Sequence, residues 1–246
     1  MTTQARTGIK IGVLVPFTNC NLEPDMELLR PPNSSVHFAR LGGYDVDEIP
    51  GSDQMADMGT SDITDALHLI SGVRPDVVLY GCTSATLAHG PSFDADLAEK
   101  IKSKSNAVSL TAAGSLITAI KALGASKVGF ASPYLSEINK QAMAFMASEE
   151  IKTVNCADVG LALGNYGQGK LTLDEVYELA LRADHPDAQA IVLSCTDMRS
   201  VEVIERVEAT LGKPVVTSNQ AMMFCLMKKL AIARHAGTPG HLFDCL

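Results

Sequence analysis

Short apolar runs recur along the chain, separated by stretches in which apolar residues return every three or four positions. A run rich in β-branched residues and bounded by polar ones predicts a strand buried on both faces, as in a parallel sheet. Such runs fall at 9–15, 35–41, 76–80, 107–110, 127–131, 152–157, 188–193 and 214–217. The stretches between them predict helices over 24–29, 61–73, 91–104, 111–123, 135–148, 172–183, 200–211 and 220–234. In the second of these, Ile63, Ala66, Leu67 and Ile70 share one face. Helix ends carry their own chemistry. Thr111 caps one helix and Gly124 stops it. Thr172-Leu173-Asp174-Glu175 is a capping box. Two stretches fit no element. The polar loop 42–59, rich in Gly, Asp and Met, has the length of a lid or a mobile connection. The tail 236–246 carries Gly and Pro and is expected to be loose.

Strands alternating with helices predict an α/β protein with parallel sheets. The pattern also restarts. Gly129 matches Gly12 and Pro133 matches Pro16, both at an offset of 117 residues. The prediction is two pseudo-symmetric βα domains, residues 1–113 plus 219–246 and residues 114–218, with the active site in the cleft between them.

Two of the strands end alike. Asp76-Val77-Val78-Leu79-Tyr80-Gly81 runs into Cys82-Thr83, and Ala188-Gln189-Ala190-Ile191-Val192-Leu193-Ser194 runs into Cys195-Thr196, 113 residues further on. Open α/β sheets place ligands at the carboxyl ends of their strands. A buried Cys is ordinarily a small core hydrophobe. The matched setting instead predicts a pair of working thiols, one from each half, serving as acid and base or as nucleophile and acid. Each is expected to be followed by a helix start, whose backbone N–H groups favour the thiolate. Thr83, Ser84 and Thr196 are ordinary caps that also suit a carboxylate cradle. Asn19 and Asn165 could donate amide hydrogens to the same ligand.

Composition narrows the class. The 246 residues are 46% hydrophobic, ample for a packed core, and the net charge is −8 with Lys and Arg scattered. There is no Trp and no basic patch interleaved with aromatics, which argues against nucleic acid. No apolar run reaches membrane length and the first ten residues are polar, so a soluble cytoplasmic protein is expected. Cys20, Cys82, Cys156, Cys195, Cys225 and Cys245 then stay reduced, and none form a C-x-x-C pair. The six His are dispersed, so no metal site is expected. Gly164 to Lys170 nearly spells a P-loop, but Leu171 stands where Ser or Thr belongs and the helix opens later. A mobile substrate loop fits that stretch better. No G-x-S-x-G elbow occurs.

Across residues 9 to 230 the chain resembles the aspartate/glutamate racemase superfamily, in its maleate cis-trans isomerase and arylmalonate decarboxylase branch. The resemblance is carried by Gly12-Val13-Leu14-Val15-Pro16-Phe17-Thr18-Asn19, Tyr80-Gly81-Cys82-Thr83-Ser84, Ser132-Pro133-Tyr134, Asn165 and Leu193-Ser194-Cys195-Thr196. It implies two pseudo-symmetric halves, no metal or organic cofactor, a small carboxylate substrate and a homodimer or higher homo-oligomer. The decarboxylases have Gly in place of the first Cys, so Cys82 fits the two-cysteine isomerases and racemases. Phe17 departs from the Ser of the maleate isomerases. By this resemblance Cys82 attacks the double bond of maleate, the adduct rotates, and fumarate is eliminated while Cys195 manages the proton. Asn19, Thr83, Tyr134, Asn165 and Thr196 would hold the carboxylates, with Ser84 beside them. The alternatives are an amino-acid or hydantoin racemase, an arylmalonate decarboxylase-like enzyme, and a non-catalytic binding module on the same scaffold.

Overall fold

The computed structural model describes residues 8–42 and 63–246. Within them the strands form two four-stranded parallel sheets of identical order. The first runs β2-β1-β3-β4, with β1 Ile9–Val15, β2 Ser34–Arg40, β3 Val77–Tyr80 and β4 Val108–Thr111. The second runs β6-β5-β7-β8, with β5 Lys127–Ala131, β6 Lys152–Ala157, β7 Ala190–Leu193 and β8 Val215–Thr217. The two thiol-bearing strands, β3 and β7, therefore hold equivalent interior places.

Alternation within β1 explains why it reads as one apolar run. Ile11, Val13 and Val15 enter the main core, whereas Leu14 joins Val78 and Tyr80 in a smaller core on the other face of the sheet. Both faces are covered, so no polar residue interrupts the pattern. The matched glycines answer to close approach. A Cβ on Gly12 would press on Ile70 and Pro75, and one on Gly129 would meet the Ala183 carbonyl. In each half the chain packs directly against the first strand's backbone.

Nine α-helices are described: α1 Leu22–Leu29, α2 Thr64–Ser71, α3 Thr83–Leu87, α4 Pro91–Ser105, α5 Ala112–Ala122, α6 Ser136–Ser148, α7 Leu173–Arg182, α8 Ile204–Leu211 and α9 Ser218–Lys229. Thr111 accepts from Gly114 N–H at the start of α5, and the capping box at Thr172 and Glu175 closes in both directions. Helices α5 and α9 follow the last strand of each sheet, pack on one another, and touch both β4 and β8. They fasten the two sheets together, and the main core runs through residues of both.

Several expectations need correction. The last helix stops at Lys229 rather than near 234. Ala231 takes a left-handed φ of 53°, and Ile232 N–H returns to the Met227 carbonyl at 2.8 Å, closing the helix end. The tail is not loose. Leu242 and Phe243 are fully buried, Phe243 lies edge-on to Phe224, and Glu208 accepts from His241 N–H. Two large apolar side chains outweigh the local signal of Gly and Pro. The predicted helix 200–211 begins as a 3-10 turn at Val201–Val203. The loop 42–59, apart from Gly42, lies outside the described residues.

Candidate active site

Each thiol sits just beyond its strand. Gly81 separates β3 from Cys82 because a Cβ there would strike Leu22 and lie 3.0 Å from the Leu14 carbonyl oxygen. Cys82 then takes the N-cap position of α3 in extended geometry. Cys195 follows the buried Ser194, but no helix starts there. The chain bends instead, because the Asp197 carboxylate is held by the backbone N–H groups of Cys20 (2.8 Å) and Asn21 (3.1 Å) from the other half. Asn21 completes the clasp by donating to the Asp197 and Gly169 carbonyls.

The resulting cleft is lined by Pro16, Thr18, Asn19, Cys82, Thr83, Ser84, Tyr134, Asn165, Gln168, Cys195, Thr196 and Asp197. All eight residues singled out from sequence meet there. Pro16, Thr18, Gln168 and Asp197 are additions. Gln168 lies in the stretch read from sequence as a substrate loop, though not singled out there; Asp197 gave no signal because its partner lies about 177 positions away.

The two thiols differ. Cys82 Sγ lies 3.8 Å from the Ser84 hydroxyl, and the backbone N–H groups of Ser84 and Ala85 favour its thiolate. Burial nonetheless pushes its pKa up. Cys195 donates to Gln168 Oε1 at 3.3 Å and accepts from Asp197 N–H at 3.4 Å. Burial first, then the nearby Asp197 carboxylate, push Cys195 up to about 12. The expected lowering by backbone N–H groups is present at both thiols, but loss of solvent outweighs it. Tyr134 stands between them. Its phenol hydrogen-bonds to Cys195 and to Ser84, and burial holds it protonated. A chain of hydrogen-bonding groups thus joins one thiol to the other.

Hydroxyl protons are unevenly committed. Thr196 donates to the Gly81 carbonyl at 2.8 Å and accepts from Asn19 Nδ2 at 3.0 Å. Asn19 Oδ1 is taken by Asn21 and Leu22 N–H. Thr83 donates to Ser218 at 2.9 Å, and Thr18 to Asn165 Oδ1 at 3.1 Å. Among the described residues the lining holds no Lys or Arg, and Asp197 is its one carboxylate. An anion entering here is met by amides, hydroxyls and backbone N–H groups, not by a cation. The described residues contain no cluster of metal-ligating side chains.

The cleft thus brings together one thiol from the end of β3 and one from the end of β7, strands of different sheets. The family model described as arylmalonate decarboxylase matches residues 11–243. The chain belongs to the arylmalonate decarboxylase family. This places it in the aspartate/glutamate racemase-like superfamily. Among curated relatives within reach of the family, a maleate isomerase of Geobacillus stearothermophilus is 25% identical over 251 residues, covering 96% of this chain and 97% of that one. An arylmalonate decarboxylase of Bordetella bronchiseptica is 28% identical over 166 residues, 66% of this chain and 68% of that one. Among solved structures, a Cys-to-Ser mutant of the Nocardia farcinica maleate cis-trans isomerase with a covalently bound succinylcysteine intermediate superposes with a TM-score of 0.85. It is 22% identical, covering 96% of this chain and 98% of that one, and shows the shared fold.

Proposed function

We propose that this chain is a cofactor-independent cis-trans isomerase that converts maleate to fumarate, with Cys82 and Cys195 as its catalytic residues. The observation that carries the reading is two buried thiols in one cleft, in unequal environments, without a cation among the described residues of its lining. Cys82 has donors that favour its thiolate; Cys195 is held as a thiol by burial and Asp197. That asymmetry assigns Cys82 as nucleophile and Cys195 as acid.

The steps balance without an outside reagent. The Cys82 thiolate forms an S–C bond to one alkene carbon as the π bond breaks, and the Cys195 proton passes to the other carbon. Rotation about the new single bond exchanges cis for trans. Cys195 then retakes a proton, the double bond re-forms, and the C–S bond breaks. Donors from Asn19, Asn165, Tyr134, Ser84 and the backbone at Thr83 and Thr196 hold the two carboxylates. The covalent succinylcysteine of the Nocardia relative supports such an adduct, and the maleate isomerase relatives span nearly the whole chain. Cys82 stands where the decarboxylase pattern has glycine, which favours isomerisation over decarboxylation.

The reading includes a cytoplasmic, homodimeric protein, with assembly checked by light scattering. It also includes the division of the chain into 1–113 plus 219–246 and 114–218. The two matching sheets and the return of α9 onto α5 and α1 support that division.

The deciding experiment is proton NMR of the protein with maleate in D₂O, beside Cys82→Ala and Cys195→Ala. Fumarate from the native chain, and from neither variant, is expected. Full turnover by Cys82→Ala would sink the reading. An inert maleate sample, with deuterium washing into an amino acid or hydantoin, would move the assignment to a racemase.

A further inference from the structure

Helix α9 begins with three polar residues, Ser218, Asn219 and Gln220, none of which reaches solvent. Gln220 closes a capping box with Thr217. The other two leave the helix for the site. Ser218 accepts from Thr83, the residue after Cys82. Asn219 Nδ2 donates to the backbone carbonyl of Thr196, the residue after Cys195, at 3.0 Å. Its second hydrogen goes to Asp25 Oδ2 on α1 at 2.7 Å. Thr196 in turn donates to Gly81, the residue before Cys82. The two thiol loops and the start of α9 form one closed ring of hydrogen bonds.

We propose that Asn219, oriented by Asp25, is a positioning residue that fixes the Cys195 loop against the Cys82 loop. The Asn219 amide faces two acceptor oxygens, Asp25 Oδ2 and the Thr196 carbonyl, and its NH₂ group points at both. Asp25 thereby sets which end of the amide meets Thr196. The arrangement is costly. Asp25 is 3% exposed, and burial pushes its carboxyl up to about 7. Asn219 Oδ1 is buried with no hydrogen-bond partner among the described residues. A pair serving only to join the halves could be replaced by apolar packing at less cost. What apolar packing cannot supply is a directed donor to the Thr196 carbonyl. The inference rests on the isomerase reading only in naming Cys195 a catalytic thiol; the link to its loop is independent of substrate.

The test is an exchange of the pair, Asp25→Asn with Asn219→Asp. The buried amide–carboxyl hydrogen bond is kept, and at pH 8.5, above the Asp25 value of about 7, Thr196 faces a carboxylate oxygen instead of an N–H. The readout is iodoacetamide labelling of each cysteine, followed by mass spectrometry, with circular dichroism melting beside it. The exchanged protein is expected to melt within a few degrees of native. Its Cys195-to-Cys82 labelling ratio is expected to change by about tenfold or more, with half-buried Cys156 on β6 as the internal standard. Turnover of maleate should lose kcat with little change in KM. If the exchange does not fold, Asn219→Ala carries the same comparison, since it removes the donor to the Thr196 carbonyl. A folded variant of either kind with a labelling ratio within about twofold of native overturns the proposal. A changed ratio in a protein inactive on maleate from the outset keeps the positioning role and removes the isomerase reading.

Discussion

At the scale of single residues, the site is built from groups with raised pKa values, and the differences among them carry the chemistry. Only the thiolate reacts with an alkylating reagent, so labelling rates report deprotonation. Cys82 has the Ser84 and Ala85 N–H groups and the Ser84 hydroxyl on its side. Cys195 has Asp197 against it and sits at about 12. Cys82 is therefore expected to label faster than Cys195 at every pH between about 7 and 9, each rate rising about tenfold per pH unit below its own pKa. Equal rates, or a faster Cys195, measured by mass spectrometry across that range would reverse the assignment of nucleophile and acid. Thr83 and Thr196 belong to this scale too. Their hydroxyl protons point to Ser218 and Gly81, so these hydroxyls have no proton left to donate to a ligand.

At the scale of elements, burial outweighed local composition at the chain end. The 3-10 turn His241–Cys245 brings Leu242 and Phe243 into the core against α9. Phe243→Ala is expected to cost about 3–5 kcal/mol, as truncation of a buried aromatic does. Urea unfolding would show it as a lowered midpoint with an unchanged slope. A loss below about 0.5 kcal/mol would mean that the tail is peripheral after all.

At the scale of the molecule, joining the halves at a polar seam has a consequence for pH. Asp25 faces Asn219, Glu202, Arg199 and Asp197, and burial is the main cause of its rise from 3.8 to about 7. The folded chain keeps a proton there that the unfolded chain has already released. Folded stability therefore falls as pH rises between those values and regains nothing above them. Asp25→Asn can still accept from Asn219. It should raise the unfolding free energy measured in urea at pH 8 by on the order of a few kcal/mol, and leave it unchanged near pH 3. The same gain at both pH values would show that Asp25 is ionised, or neutral, throughout.

Local patterning determined a great deal here. Apolar runs of strand length, capping residues such as Thr111 and Thr172, and the matched Gly12 and Gly129 are short-range features, so the eight strands and the duplicated α/β plan were legible without coordinates. So were the two thiols, because Cys82 and Cys195 carry the same neighbours in both halves. Other properties required residues distant in the chain to meet. The Gln168 contact to Cys195, the Asp197 clasp on Cys20 and Asn21, and the burial of Asp25 beneath Asn219 all cross between segments that share no pattern. The pKa order of the thiols is likewise tertiary. It depends on how completely solvent is excluded and where Asp197 lies, and folding alone decides both.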